Sequence, residues 1–258
     1  DSTCDAWAYL VNILKSSHAR NRMAEIVGTP KCNLCGCETF RDMGNRKNCI
    51  CVKCGSYERT RVMKLFLDSN PRVAGASILH LAPERGLYAH LSQIAENYVT
   101  GDIDLDRYSH IPSIHKVDLC DVSTFTELGR FDFIIHSHVI EHVPCNYTAV
   151  LVNLHRLLKP GGIHMFAMPI YGSAFEEDLG HISEAEKERR FGQFDHCRRF
   201  SAVDLHRTIG AIFTLPQKYN LLDHFSESTL DAANIPPVAR EGYTGHSVFQ
   251  ISDHALKF

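Results

Sequence analysis

Four cysteines in two pairs, Cys32-x2-Cys35 and Cys51-x2-Cys54, are separated by fifteen residues, which is the spacing of a zinc ribbon. Each pair forms a knuckle whose tight turn aims two thiolates at one ion. Gly36 and Gly55 follow the second Cys of each knuckle, where the turn needs a permissive backbone. Four thiolates close a tetrahedron and leave no open position, so the expected Zn2+ is structural. Such binding is worth on the order of 10 kcal/mol of folding free energy in a unit with no core of its own. Cys37 and Cys49 also lie in this stretch, and either could replace a neighbour as ligand. The alternative is a reduced, metal-free Cys-rich loop. Disulfides want an oxidising compartment, and the N-terminus lacks the layout of a secretory signal.

A second group, His138-Val139-Ile140-Glu141-His142, matches the inverted zinc-protease pattern. That pattern belongs on a helix, whereas here it runs directly out of an expected strand and is cut by Pro144, which argues against proteolysis. A third group lies in Phe191-Gly192-Gln193-Phe194-Asp195-His196-Cys197-Arg198-Arg199-Phe200. Arg198 and Arg199 beside His196 suit an anionic or polyhydroxyl ligand, the alternative being a solvated Arg pair with a structural Asp-His contact.

The elements that must carry these groups follow from periodicity. Strands are expected at Ser77–Leu81, Tyr98–Ile103, Phe131–His136 and Ile163–Met168, with final strands near Tyr219–His224 and Ser247–Ser252. Amphipathic helices lie between them, notably Tyr147–Leu158, stopped by Lys159-Pro160-Gly161-Gly162. Ser56 is an expected cap for a helix carrying Val62, Leu65 and Phe66, and Ser183-x2-Glu186 forms a capping box. The alternation of strand and helix predicts a mostly parallel α/β sheet. Residues 1–28 read as an N-terminal helix, 29–56 as the ribbon and 57–258 as the α/β domain, with a cap segment at about 170–200.

In order and spacing, five stretches resemble the class I S-adenosylmethionine-dependent methyltransferases: Ile78-Leu79-His80-Leu81-Ala82-Pro83-Glu84-Arg85-Gly86, Tyr98 to Asp104, Val117-Asp118-Leu119, Phe131 to Val143, and Leu157 to Gly162. The resemblance covers residues 76–170 well. The Leu-His-x-Ala-Pro-Glu run behind a Cys4 ribbon looks like a bacterial branch often linked to sugar or natural-product modification. The family implies a Rossmann-like seven-stranded sheet with helices on both faces, with the small zinc ribbon in front, and S-adenosyl-L-methionine as co-substrate. It places His80, Ala82, Glu84, Gly86, Asp102, Ile103, Asp104, Asp118, Leu119, Ser137 and His138 around the cofactor. Ala82 and Glu84 stand where two of three glycines are usual. Ala82 stays small enough for backbone amides to approach a ligand, while Glu84 either receives the cofactor's ammonium group or points away. Asp102, with Asp104 behind it, would accept the ribose hydroxyls, and Asp118 with Leu119 would read the adenine edge. Some members hold a divalent ion with Glu-x2-Glu-His, and here His138 stands in place of the first Glu. Alignment supplies most of the rate in methyl transfer, and a hydroxyl acceptor benefits from a base of near-neutral pKa. His138, His142 and His196 are the candidates among sixteen histidines.

Charge decides among partners. From Lys15 to Lys64 the balance is +7, the whole chain is −3, and the remainder is therefore −10. A basic front segment fits RNA docked on the ribbon, but four thiolates on a divalent ion reduce that charge to about +5, and only Phe40 and Tyr57 could stack on bases. The leading expectation is methylation of a small molecule, at an oxygen of a sugar, carboxylate or natural-product-like acceptor. RNA is the second acceptor, and a non-catalytic ribbon interaction protein is the third reading. No run approaches the roughly 18–20 apolar residues of a membrane span, so a cytoplasmic protein without membrane contact is expected. The sequence leaves the oligomeric state open.

Overall fold

A computed structural model describes residues 28–258, so the N-terminal helix expected over 1–28 lies outside the described residues apart from its last position, Gly28. The ribbon comes first, as a hairpin of β1 (Phe40–Met43) and β2 (Arg46–Cys51). Helix α1 (Glu58–Asp68) leaves its second knuckle directly. The main sheet then takes β3 (Ser77–Leu81), β4 (Asn97–Asp102), β5 (Ile114–Lys116), β6 (Phe131–Ser137) and β7 (Leu158–Ala167). Two short strands, β8 (Glu176–Glu177) and β9 (Arg198–Arg199), pair inside the cap segment, and β10 (Val248–Ser252) closes the main sheet. Helices α2 (Arg85–Ile94), α3 (Ser123–Thr126), α4 (Tyr147–His155) and α5 (Glu184–Phe191) fill the crossovers and the cap.

The sheet order is β10-β7-β6-β3-β4-β5, with only β10 antiparallel to its neighbour. The chain reverses its direction of travel across the sheet between β3 and β6, and ligands of open α/β sheets bind beyond the strand ends at such a point. One face is packed with Leu79, Ile134, Leu151, Leu154, Phe166 and Phe213. The other holds Ile78, Phe133 and Met165 against Val62, Met63 and Phe66 of α1 and Leu87 and Leu91 of α2. Burial of these side chains on both faces is what makes the central strands continuous apolar runs.

Among the described residues this sheet has six strands, not seven. The segment expected as a strand near Tyr219–His224 spends its hydrogen bonds elsewhere. Leu221 N–H donates to the Arg240 carbonyl, Gly242 N–H donates to the Tyr219 carbonyl, and the Asn220 side chain accepts from Leu222 N–H to start a 3-10 turn. β5 was too short and polar to register in the sequence. α4 stops at His155, before the expected Leu158, because Leu158 already pairs with Phe131 in the sheet. The Ser183 cap forms as expected, accepting from Glu186 N–H. Ser56 instead bonds knuckle thiols, and Tyr57 holds the cap position of α1.

The sheet carries a buried polar layer. His80, His136 and His164 are fully buried; His80 Nδ1 is 2.8 Å from Tyr98 Oη, and His136 and His164 meet through Nε2 atoms 3.0 Å apart. Burial drops the His80 and His136 pKa values to about 3. These rings are neutral when folded and protonate freely, at about 6.5, when unfolded. The sign follows: their share of stability is complete above about pH 6.5 and is lost as pH falls toward about 3, at about 1.4 kcal/mol per pH unit for each ring. His136→Phe is expected to take up about one proton fewer than the parent on unfolding at pH 5, read from the slope of denaturant-derived stability against pH. An unchanged slope would mean that His136 is already charged in the fold.

Candidate active site

A cavity of about 850 Å³ opens over the carboxyl ends of β3, β4 and β6. Its floor is Leu81–Arg85, Gly101–Ile103, Val117–Cys120 and Ser137–Val139. The ribbon side adds Met43, Arg46, Tyr57 and Arg59, and the cap adds Gln193, Asp195 and His196. Two floor residues adopt left-handed backbone despite bearing side chains, Ala82 at φ +48° and His138 at φ +53°. Such conformations cost free energy, concentrate at functional sites, and explain why a glycine would be usual at position 82. Gly101 is required for a different reason: a Cβ there would sit 2.6 Å from Val117 Cγ2.

Glu84 turns inward. Its Oε1 accepts from Thr60 Oγ1 at 2.9 Å and lies 3.7 Å from Arg59 Nη2, while its buried Oε2 has no partner. Burial raises its pKa, opposed by the Arg59 charge. Arg59 donates to Ser137 Oγ at 2.9 Å and stacks 4.4 Å from the Tyr57 ring centre. Together Arg59 and Glu84 offer a cation and a carboxylate side by side, the complement of an amino-acid zwitterion. Asp102 accepts from Asp104 N–H at 2.8 Å and Tyr108 Oη at 2.9 Å, and it lines the cavity. Asp118 caps its own loop through Cys120 N–H at 2.9 Å and still lines the cavity beside Leu119. An orphaned buried carboxylate oxygen, a close-approach backbone at Ala82 and an acid ending β4 fit the amino-acid and ribose ends of S-adenosylmethionine.

Opposite lies the cluster Glu141, His142 and His196, whose ligand atoms all lie within 4.8 Å of one another. Glu141 is fully buried and neither of its oxygens has a hydrogen-bond partner, so burial pushes its pKa up to about 8. His142 Nδ1 is 3.1 Å from Asp195 Oδ2, and its Nε2 is 4.0 Å from Glu141 Oε1. His196 Nδ1 is 2.9 Å from the Phe191 carbonyl, and its ring stands edge-on to His142 with centres 4.6 Å apart. His138 reaches Glu141 Oε1 at 3.3 Å and the Gly245 carbonyl at 3.2 Å. Burial lowers the pKa of all three rings, so all are neutral near pH 7.

The four Cys32, Cys35, Cys51 and Cys54 sulfurs also lie within 4.8 Å of one another. The Cys32–Cys54 and Cys35–Cys51 separations are both 3.5 Å, close to the roughly 3.8 Å edge of a tetrahedron with 2.3 Å zinc–sulfur bonds. Cys37 and Cys49 turn to the Thr39 and Arg41 carbonyls instead.

Several sequence-derived candidates fall elsewhere. His80 is sealed inside the sheet, and Asp104 is exposed and caps Asp106 N–H. Gly86 sits behind the floor, where an added Cβ would meet Leu34 Cδ1 at 3.1 Å and Cys54 Sγ at 3.4 Å. Arg198 and Arg199 do not line the cavity. Arg198 is fully buried and donates to the Ile140 and Cys145 carbonyls, and Arg199 pairs with Glu176 at 2.5 Å. Their sequence position beside His196 did not reveal that β9 turns both guanidinium groups away. Arg59, Thr60, Tyr108 and Asp195 were missed, although Arg59 stands only five residues past the last knuckle Cys. A disulfide joining Cys120, at the cavity rim, to Cys145 was also unforeseen, because the compartment argument from the N-terminus weighed against disulfides.

A family model described as a methyltransferase domain matches residues 35–211. No curated protein sequence matches the chain. Among solved structures, an S-adenosylmethionine-dependent methyltransferase from Mesorhizobium loti is 13% identical with a TM-score of 0.48, covering 78% of this chain and 99% of its own. N-methyltransferase NodS from Bradyrhizobium japonicum WM9, solved with S-adenosyl-L-homocysteine, is 16% identical with a TM-score of 0.38, covering 62% and 75%. Coclaurine N-methyltransferase, bound to N-methylheliamine and S-adenosylhomocysteine, is 14% identical with a TM-score of 0.42; it covers 66% of this chain, which spans 54% of it.

Arg198→Met is expected to cost about 1.5–3 kcal/mol of stability, because it abandons two buried carbonyls next to Glu141 and His142. Chemical denaturation reads this directly. Unchanged stability with selectively weaker acceptor binding would restore Arg198 to the substrate.

Proposed function

The chain belongs to the methyltransferase-domain family and is an S-adenosylmethionine-dependent methyltransferase; from that premise we propose that its acceptor is a small polar molecule, methylated on oxygen beneath the zinc ribbon. The observation that carries this reading is the walled cavity, with a neutral imidazole and its carboxylate partner, His142 and Asp195, opposite the cofactor floor. Its volume falls in the range of small-ligand sites.

S-adenosylmethionine supplies a methyl group on a sulfonium centre. Glu84 and Arg59 hold its amino-acid end, Asp102 the ribose and Asp118 with Leu119 the adenine. His142 accepts the proton of an acceptor hydroxyl, and the Asp195 carboxylate steadies the imidazolium that results. The remaining rate comes from holding acceptor and donor in line. In the ribbon, Cys32, Cys35, Cys51 and Cys54 would hold a structural zinc ion.

RNA as acceptor has less support. Several of the ribbon's basic side chains are already engaged, with Arg46 on Glu58, Lys47 on Asp42, Lys31 on Glu38 and Arg61 buried, which leaves Arg41 and Lys53 exposed without an ion pair among the described residues. Phe40 is covered by Arg61, and Tyr57 by Arg59. Each ring already carries a guanidinium on one face.

A second reading of the same chemistry rests on Glu141. A buried carboxylate with no partner, beside two imidazoles each with one nitrogen already engaged, is a donor set for a divalent ion. Glu141, His142 and His196 would hold it, and it would polarise an acceptor hydroxyl in place of the free His142 base. Metal analysis separates the readings: one zinc per chain for the base, two ions for the metal.

With methyl-labelled S-adenosylmethionine and fractionated cell extract, label is expected in the small-molecule fraction and absent with Asp102→Ala. Losing its charged hydrogen bonds to the ribose should weaken S-adenosylhomocysteine binding by about 1.5–3 kcal/mol. Label in RNA would overturn the acceptor assignment, and full binding by Asp102→Ala would overturn the ribose assignment.

A further inference from the structure

The ribbon is fastened to the first cofactor turn by contacts too specific for an appendage. Gly86, at the start of α2, faces both knuckles, since a Cβ there would press on Leu34 of the first and Cys54 of the second. Ser56 Oγ lies 3.2 Å from Cys32 Sγ and 3.3 Å from Cys54 Sγ, and the Ser56 carbonyl accepts from Cys51 N–H at 3.0 Å. The fully buried Arg61 donates to the Cys49, Ser56, Ala233 and Asn234 carbonyls, which locks the hairpin and α1 to the body of the domain. The next links run straight into the cavity. Tyr57 N–H donates to Thr60 Oγ1 at 3.3 Å, and Thr60 Oγ1 donates to Glu84 Oε1 at 2.9 Å. One turn of helix therefore has the knuckle thiols at one end and the orphaned cofactor-side carboxylate at the other.

We infer that zinc in the Cys4 site and S-adenosylmethionine in the cleft are thermodynamically coupled, with Thr60 and Arg59 as positioning residues that hold Glu84 in its binding orientation only while the knuckles are closed. The inference rests on the zinc and cofactor assignments above. Opening the knuckles releases Ser56 and the first turn of α1, and the Glu84 carboxylate loses its donor. Gly86 then loses the surface against which α2 begins. Linkage requires reciprocity: if zinc tightens cofactor binding by some factor, the cofactor tightens zinc binding by the same factor. A ribbon that merely stabilised the whole domain would show no such matched pair of factors in the folded protein.

The test uses the full chain and two titrations. Calorimetry measures S-adenosylhomocysteine binding to zinc-loaded and chelator-stripped protein. Competition with a chromophoric chelator measures zinc affinity with and without saturating S-adenosylhomocysteine. The expected result is a weakening of at least tenfold on stripping, matched by an equal tightening of zinc by the ligand. In zinc-loaded Thr60→Val, which keeps the buried volume, ligand affinity is expected to fall and the coupling factor to shrink toward one. Equal ligand affinity in both metal states, or zinc affinity indifferent to ligand, overturns the coupling. If the stripped chain unfolds, ligand binding to the zinc-loaded, folded Thr60→Val variant decides alone, and an affinity equal to the parent's overturns the coupling. No ligand binding even with zinc would instead overturn the cofactor assignment.

Discussion

A half-buried carboxylate stands at the bend between β3 and α2 with one oxygen sealed from water, and much of the site is arranged around it. Burying a charge without partners costs several kcal/mol, so Glu84 must be met by donors. Thr60 supplies one hydrogen bond and Arg59 a nearby charge, both from the helix that leaves the second Cys knuckle. With it go the buried Arg61, which fastens the hairpin to the Ala233 and Asn234 carbonyls of the domain body, and Gly86, the remaining glycine of the turn, which packs against Leu34 and Cys54. The unpartnered Glu84 Oε2 leaves the arrangement one donor short, which an ammonium group would complete.

Across the cavity the same constraint is met differently. Glu141 is also buried, but it is surrounded by rings instead of donors, and its pKa rises until it is protonated near neutrality or met by a cation. The two ends of the cavity thus differ in kind. One is a polarised Arg-Glu pair suited to a zwitterion, and the other is a neutral, electron-pair-rich pocket suited to taking a proton from an acceptor. Their separation across one cavity would give a methyl donor and its acceptor distinct seats.

Much of this was legible in the residues. The gathering of Cys32, Cys35, Cys51 and Cys54 was readable because knuckle geometry demands a fixed local spacing. The strand ends carrying Ala82, Asp102 and Ser137 were readable because buried parallel strands are short apolar runs bounded by polar turns. What failed was orientation and distance. Arg198 and Arg199 adjoin His196 in sequence, yet a two-residue strand turns them into the fold. The expected strand near Tyr219–His224 is lost because Arg240 and Gly242, twenty residues on, take its hydrogen bonds. Arg59 and Asp195 reach the cavity only through tertiary packing, which no local pattern records.

The central claim is that one cleft seats the methyl donor between Glu84 and Asp102, with the ribbon helix as part of its wall. A crystal structure of the zinc-loaded chain grown with S-adenosylhomocysteine tests it most directly. The account expects the amino group within hydrogen-bond distance of Glu84 Oε2, the ribose hydroxyls on Asp102, and the thioether sulfur facing His142. Ligand bound elsewhere, or bound with Glu84 turned away and Arg59 disengaged, would contradict it.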